Sequence, residues 1–419
     1  MSSPPMEQLV RSLRQNGLIR FFEHLAETFP DAHLKDLVVE EVLPERRIVV
    51  AGRTVYNFGS DSFLGLDQDK RVIDAVRRGL DHWGTHNGAS RAFCSVKANE
   101  EAERALADWL RCEATLIYPS VTLANMGAIP GLVGKQDLLV VDEQAHNSIH
   151  EGARIARANG TRVVTFGHCD PAALEKALDE AGEYRTALVA IDGVYSMSGE
   201  LPPLRELNDA CLSRKAVLYV DDAHASGVIG PQGRGTVLEA LGSYDNALVV
   251  GSLSKGFSCA GGFIGCSAPL KMLLKMKSNT YIFGGPVVPP YLEAVTEVCR
   301  ILMSDEYEGI AARLEGNLSR LRDGLQQQGF VVQGGKTPIL SVLVGDEEAT
   351  LRSGKFLHEQ GYYVQSVTFP AVPYHAGILR IQVNANHTAQ SIDGLVEAMR
   401  KLARAIELPR AEGSARRAA

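Results

Sequence analysis

A lysine, an aspartate and a histidine stand where two apolar runs end. In Ala247-Leu248-Val249-Val250-Gly251-Ser252-Leu253-Ser254-Lys255-Gly256, a β-prone stretch gives way to small hydroxyl residues and then to Lys255. In Leu218-Tyr219-Val220-Asp221-Asp222-Ala223-His224, a similar stretch closes with Asp221, and His224 follows three residues on. A lysine against an apolar wall sheds its proton readily and becomes an amine nucleophile or base. A lone Ser-x-Lys is more often a solvated surface charge, so the aspartate decides the reading. A carboxylate at the end of a buried strand needs a cation or hydrogen bonds to offset its desolvation. The protonated ring nitrogen of a cofactor would supply both. An amine for a Schiff base and an acid that keeps a pyridinium protonated are what pyridoxal 5'-phosphate requires.

The elements that must carry these groups follow from periodicity. From about residue 60, short Val/Leu/Ile runs at 137–142, 161–166, 187–192, 216–221 and 247–251 alternate with helical patterns at 123–134, 148–158, 171–181 and 203–213. Such alternation predicts an α/β fold: a large domain with a mostly parallel sheet, helices on both faces, and chemistry at the C-terminal strand ends. A helical stretch over 290–328 leads into a mixed α+β region (339–344, 349–359, 377–383, 388–406), expected to form a smaller C-terminal domain. Upstream, residues 6–30 place Leu9, Val10, Leu13, Leu18, Phe21, Phe22 and Leu25 at helical spacing. That pattern predicts one amphipathic helix packed on its own protein or a partner subunit, with a membrane or an acyl carrier as the alternative contact. Runs at 48–50 and 55–58 suggest a small hairpin. The expected divisions are 1–55 for the N-terminal helix and hairpin, 56–290 for the large cofactor-binding domain, 291–408 for the small domain and 409–419 for a frayed tail.

Composition narrows the function classes. The 419 residues are 45% hydrophobic and 22% charged, an ordinary globular balance, and the net charge of −7 offers no basic footprint for nucleic acid. No apolar run reaches membrane-spanning length. The N-terminus lacks the basic and apolar regions of a signal peptide. Seven scattered cysteines without a C-x-x-C pair predict reduced thiols in a cytoplasmic protein, rather than disulfides or a zinc site.

Four stretches together resemble the α-oxoamine synthases, fold-type I pyridoxal phosphate-dependent transferases. They are Asp192-Gly193-Val194-Tyr195-Ser196-Met197-x-Gly199, Asp221-Asp222-Ala223-His224, Gly230-x-x-Gly233-Arg234-Gly235 and Ser252-x-Ser254-Lys255. The resemblance runs from about residue 55 to 405. It implies Lys255 as the Schiff-base lysine, Asp221 as the pyridinium partner, His224 near the phenolic oxygen and His146 stacked on the ring. It further implies Ser196 and Ser252 at cofactor oxygens and phosphate, and Arg380 as the clamp on the amino-acid carboxylate. The implied reaction condenses an amino acid with an acyl thioester, on coenzyme A or an acyl-carrier protein, giving an α-amino ketone and CO2. The implied assembly is a homodimer with a shared active site. Another fold-type I activity, an aminotransferase or an aldolase-like lyase, is the alternative. A non-catalytic subunit is disfavoured because Lys255 is retained.

Several positions depart from the family pattern. The segment whose hydroxyl reaches the partner's phosphate reads Tyr281-Ile282-Phe283-Gly284-Gly285-Pro286, so the amides of Gly284 and Gly285 are expected to substitute. The Ser-Gly-aromatic turn reads Ser120-Val121-Thr122, leaving the Val121 and Thr122 amides and the Thr122 hydroxyl to meet phosphate at a helix N-terminus. Asp61 stands where an asparagine helps bind substrate carboxylate. A glycine-rich segment reads Gly84-Thr85-His86-Asn87-Gly88-Ala89-Ser90-Arg91, with His86 reshaping the acyl entrance and Arg91 expected at the substrate.

Overall fold

The computed structural model describes residues 4–30 and 37–411. Its central sheet has seven strands in the spatial order 114–118, 262–266, 247–252, 216–221, 187–192, 138–142, 162–166. Five run parallel from 247–252 to 162–166, and 262–266 is antiparallel to both its neighbours. The five parallel strands coincide with the Val/Leu/Ile runs of the sequence. The strands at 114–118 and 262–266 carry no such run: one begins Ala-Thr, the other is Gly-Phe-Ile-Gly-Cys. Register sets Asp192 beside Asp221, and Asp221 beside Val250, so the acids end adjacent strands on one edge of the sheet. Helices Lys97–Leu110, Val121–Leu132, Asn147–Ala158, Pro171–Glu180 and Leu204–Ser213 bury their apolar residues in clusters on the sheet's two faces.

A smaller antiparallel sheet, in the order 332–334, 339–345, 377–382, 365–367, is backed by helices Glu347–Glu359 and Ala389–Ala405. The expected helical stretch over 290–328 is two helices, Pro289–Leu302 and Glu306–Gln327. The break comes at Ser304, whose hydroxyl turns back to the Ile301 carbonyl at 2.7 Å. Helix Pro289–Leu302 packs closely on helix Lys70–Trp83: a Cβ on Gly79 would lie 2.7 Å from the Pro290 Cα.

The N-terminal region also differs from a single helix. Helices Pro5–Leu13 and Gly17–Thr28 are separated at Asn16, whose side chain caps the second by accepting from the Leu18 amide at 2.9 Å. Leu25 is buried against Leu351, and Phe21 meets Phe369 edge-on at 5.7 Å, so the second helix packs on its own chain. The expected hairpin is present as Arg47–Val50 and Arg53–Asn57, flanked by Val39–Leu43 and, in parallel, by Tyr362–Tyr363. Of the expected tail, Arg410 bridges Phe330, and residues 412–419 lie outside the described residues, as do 1–3 and 31–36 of the N-terminal segment.

Arg91, expected at the substrate, turns its side chain into the interior. Its guanidinium bonds Glu103 at 2.6 Å and the Ile117 carbonyl at 3.2 Å, and both charged side chains are 3% exposed. Glu103 also accepts from Lys271 at 2.6 Å and the Ile117 amide at 2.9 Å. Burial pushes the Glu103 carboxyl up, but the two cations outweigh it and hold the group below its ordinary value. Spacing could not distinguish this inward orientation from one toward the cleft. Removing one member of a buried ion pair costs about 3 kcal/mol where the remaining charge is stranded, an upper limit here because Lys271 would keep Glu103 partly compensated. Arg91→Met is therefore expected to lower the urea midpoint while leaving the KM for both substrates unchanged. A raised KM at unchanged stability would restore the substrate role.

Candidate active site

Lys255 sits on the turn that leaves strand 247–252. Ser252, fully buried, shapes the turn by accepting from the Ser254 amide at 3.1 Å. Gly256 must be glycine, because a Cβ there would lie 2.4 Å from the Ser226 carbonyl oxygen. The turn brings Lys255 Nζ to 3.0 Å from His224 Nε2. Burial lowers the Lys255 amine below the ordinary lysine value, opposed by the charge of Asp221 and then of Asp61. His224 is pushed well below its ordinary value, first by burial and then by Lys255 and Arg380. Lys255 is the partner of Nε2, which, when it accepts from the amine, leaves the imidazole proton on Nδ1, a buried atom with no hydrogen-bond partner among the described residues.

Asp221 is 4% exposed and accepts two hydrogen bonds, from Asn125 Nδ2 at 2.7 Å and from the Ala223 amide at 3.1 Å. Among the described residues it makes no ion pair. Asn125 is fixed in turn: its Oδ1 accepts from the Tyr219 hydroxyl at 2.9 Å, and its amide also reaches Ser148 Oγ at 2.8 Å. Ser148 bonds His146 Nδ1 at 2.7 Å, so His146 is tied to Asp221 through two side chains while its ring stays exposed at the cleft. Burial, then the charge of Asp221, raises Asp192 well above the ordinary carboxylate value, and Asp192 accepts from the His146 amide at 3.0 Å.

Ser120 caps helix Val121–Leu132, leaving the Val121 and Thr122 amides without hydrogen bonds among the described residues. The helix end abuts the strand pair at Gly262, which is paired with Ser252; a Cβ on Gly262 would lie 2.6 Å from the Val121 nitrogen. Helix N-termini of this kind bind anions. The Gly284 amide is not available as expected, since it donates to the Thr280 carbonyl at 2.9 Å in closing helix Asn279–Phe283. The Gly285 amide has no bond among the described residues.

Arg380, from strand 377–382, donates to the Ser196 carbonyl at 2.6 Å, Gln365 Oε1 at 2.9 Å and Asp61 Oδ1 at 3.1 Å. Ser196 thus meets Arg380 through its backbone. His387 does not face the cleft. It is buried, its Nδ1 accepts from the Asn384 amide at 3.1 Å, and its Nε2 donates to the Asn57 carbonyl at 3.0 Å. Burial lowers it to about 3, so it stays neutral and pins segment 57–61 beside strand 377–382.

The family model for class I and II aminotransferases matches residues 53–399. An 8-amino-7-oxononanoate synthase of Alkaliphilus oremlandii is 34% identical over 385 residues, covering 90% of this chain and 96% of that protein. One from Coprothermobacter proteolyticus is 33% identical over 353 residues, covering 84% and 88%. The chain belongs to the class I and II aminotransferase family. Within it the chain is an α-oxoamine synthase, a PLP-dependent acyltransferase. A serine palmitoyltransferase of S. paucimobilis solved with PLP superposes with a TM-score of 0.86 at 28% identity, over 93% of this chain and 99% of that one.

The groups of this α-oxoamine synthase fit pyridoxal 5'-phosphate on their own geometry. Among the described residues, a buried carboxylate has no cation, a buried imidazole nitrogen has no hydrogen-bond partner, and two helix amides have no acceptor. The sequence did not disclose Asn125 or Gly262. The only signal for Asn125 is an amide side chain among Ala124, Ala128 and Ile129 on a buried helix face. Because Asp221 favours the charged form of Lys255, Asp221→Asn is expected to lower the pH at which the lysine loses its proton. The pH dependence of Lys255 labelling by an amine-reactive reagent, read by peptide mass in cofactor-free protein, measures this. An unchanged or raised midpoint would contradict the coupling.

Proposed function

We propose that the chain joins an amino acid to an acyl thioester, on coenzyme A or a carrier protein, releasing CO2 and free thiol and leaving an α-amino ketone. The observation that carries this reading is Lys255 and Asp221 on adjacent strand ends, with Arg380 close enough to act electrostatically on Lys255 and His224. Pyridoxal 5'-phosphate supplies the electron sink that stabilises negative charge at the amino-acid Cα. Asp221 would hold the ring N–H, the Nδ1 proton of His224 the phenolic oxygen, the exposed ring of His146 the cofactor's face, and the Val121 and Thr122 amides with Ser252 the phosphate. Lys255, deprotonated more readily than a free lysine because it is buried, serves as the base that takes the Cα proton. Arg380 is the carboxylate-binding group.

Asp61 occupies one edge of that guanidinium, so an incoming carboxylate must displace it. A cavity of about 610 Å3 lined by Phe22, Tyr363, Val364, Gln365, Val367 and Phe369 shares Gln365 with Arg380 and suits an acyl chain. Helix Gly17–Thr28, which contributes Phe22, forms part of its wall.

The proposed assembly is a homodimer. Phe93 is 90% exposed and Phe283 82%, and Met272, Leu273 and Met276 are exposed nearby. The two segments adjoin through Ser90 Oγ and the Ile282 carbonyl at 2.5 Å, and so large an apolar surface marks an interface. Residues 56–290 would form the cofactor-binding domain and 291–408 the small domain, preceded by the N-terminal segment of residues 1–55. A cytoplasmic location is supported by seven cysteines, all free. Among the described residues no helix is long and apolar enough to cross a membrane.

The test is incubation of the cofactor-loaded protein with a panel of amino acids and acyl thioesters. CO2 and free thiol should appear one for one, and only with both substrates present. Transfer of the amino group to a keto acid without thiol release would replace this reading with an aminotransferase. Asp61→Asn should lower the amino-acid KM about five-fold with little change in kcat, as loss of a part-exposed competing pair worth roughly 1 kcal/mol implies. An unchanged or raised KM would show that Asp61 does not compete.

A further inference from the structure

Three potential metal ligands of different chemistry converge at the ends of strands 138–142 and 162–166. Asp142 closes strand 138–142 and is fully buried, while His168 and Cys169 lie on the turn after the adjacent strand 162–166. One carboxylate oxygen, one imidazole nitrogen and the thiol sulfur lie within 4.8 Å of one another. The backbone holds the carboxylate in place: Asp142 Oδ1 accepts from the Gln144 amide at 2.8 Å, and Oδ2 from the Cys169 amide at 2.9 Å. Cys169 adopts a positive φ of 51° to make that turn, a conformation unusual for a residue with a side chain.

Two further groups complete the arrangement. His168 Nδ1 stands 3.0 Å from Asp142, and its Nε2 stands 3.4 Å from Glu200. A histidine whose second nitrogen faces a carboxylate is the usual support for a metal-bound imidazole. The Tyr195 ring meets the His168 ring edge-on at 4.3 Å, and its hydroxyl, in a residue 4% exposed, lies beside Asp142 and Cys169.

We propose that Asp142, His168 and Cys169 bind a zinc ion. Bonds of about 2.0–2.2 Å to nitrogen and oxygen place such ligand atoms roughly 3.3 Å apart in a tetrahedron, close to the 3.0 Å between Nδ1 and Oδ1. Binding releases the thiol proton to solvent, and the imidazole proton moves from Nδ1 to Nε2, where Glu200 accepts it. The fourth position falls to a water that the Tyr195 hydroxyl would hydrogen-bond. A mixed sulfur, nitrogen and oxygen set favours zinc or cobalt(II) over magnesium or calcium. The ion would clamp the 142–146 turn, which ends in His146, to the turn at 168–169. The sequence hides the site because its ligands come from two strand ends and include only one cysteine.

The full-length, cofactor-loaded protein is equilibrated with Zn2+, passed through gel filtration and assayed for metal. About one zinc per chain is expected, falling to near zero in Cys169→Ser and in His168→Gln. Both variants should keep the circular dichroism and cofactor absorbance of the wild type. Co2+ in place of zinc should give the visible bands of a tetrahedral thiolate complex in the wild type and not in Cys169→Ser. Absence of retained zinc in the wild type, or equal retention in Cys169→Ser, would overturn the proposal.

Discussion

A carboxylate held in the interior with no ion-pair partner among the described residues is the constraint on which this candidate active site depends. Asp221 ends a strand buried on both faces, and the cost of keeping its charge there is offset only in part by Asn125 Nδ2 and the Ala223 amide. The supporting shell is correspondingly rigid. Tyr219 fixes the Asn125 carbonyl, Ser148 shares its amide, and Ser148 in turn orients His146. A strand end, a helix face and a helix N-terminus are thereby committed to one charge. The same edge brings Lys255 and His224 within 3.0 Å of each other, where both are disfavoured as cations. An electrophilic cofactor bearing a protonated ring nitrogen satisfies the acid and engages the amine together.

The second organising contact joins the two sheets. Arg380 belongs to the smaller antiparallel sheet, yet its donors reach Ser196 after the large sheet's strand 187–192 and Asp61 from the segment pinned by His387. With the proposed roles, substrate carboxylate and cofactor would be held by different parts of the fold, joined by a few buried polar contacts. Phe21 and Phe22 of helix Gly17–Thr28 extend this arrangement, one packed on Phe369 and the other lining the neighbouring cavity.

Much of the fold was legible because parallel strands buried on both faces are near-continuous apolar runs, and five such runs matched five strands. Acids at the ends of those runs disclosed the edge that does chemistry. Strands 114–118 and 262–266 escaped notice because small residues, Ala114 and Thr115 in one and Gly262 and Gly265 in the other, dilute the pattern. Helix breaks at Asn16 and Ser304 depend on side chains capping the backbone locally, which apolar periodicity does not record. Arg91 shows the deeper limit. A residue's position next to a glycine-rich segment says nothing of which way its guanidinium turns, and here Glu103 draws it inward.

The most direct test of the account is borohydride reduction of the cofactor-loaded protein followed by peptide mapping. The account predicts the phosphopyridoxyl mass on Lys255 alone, with its loading weakened when Asp221 or Gly262 is replaced. A label on any other lysine, or loss of visible absorbance with no labelled peptide, would contradict the assignment of this strand edge as the active site.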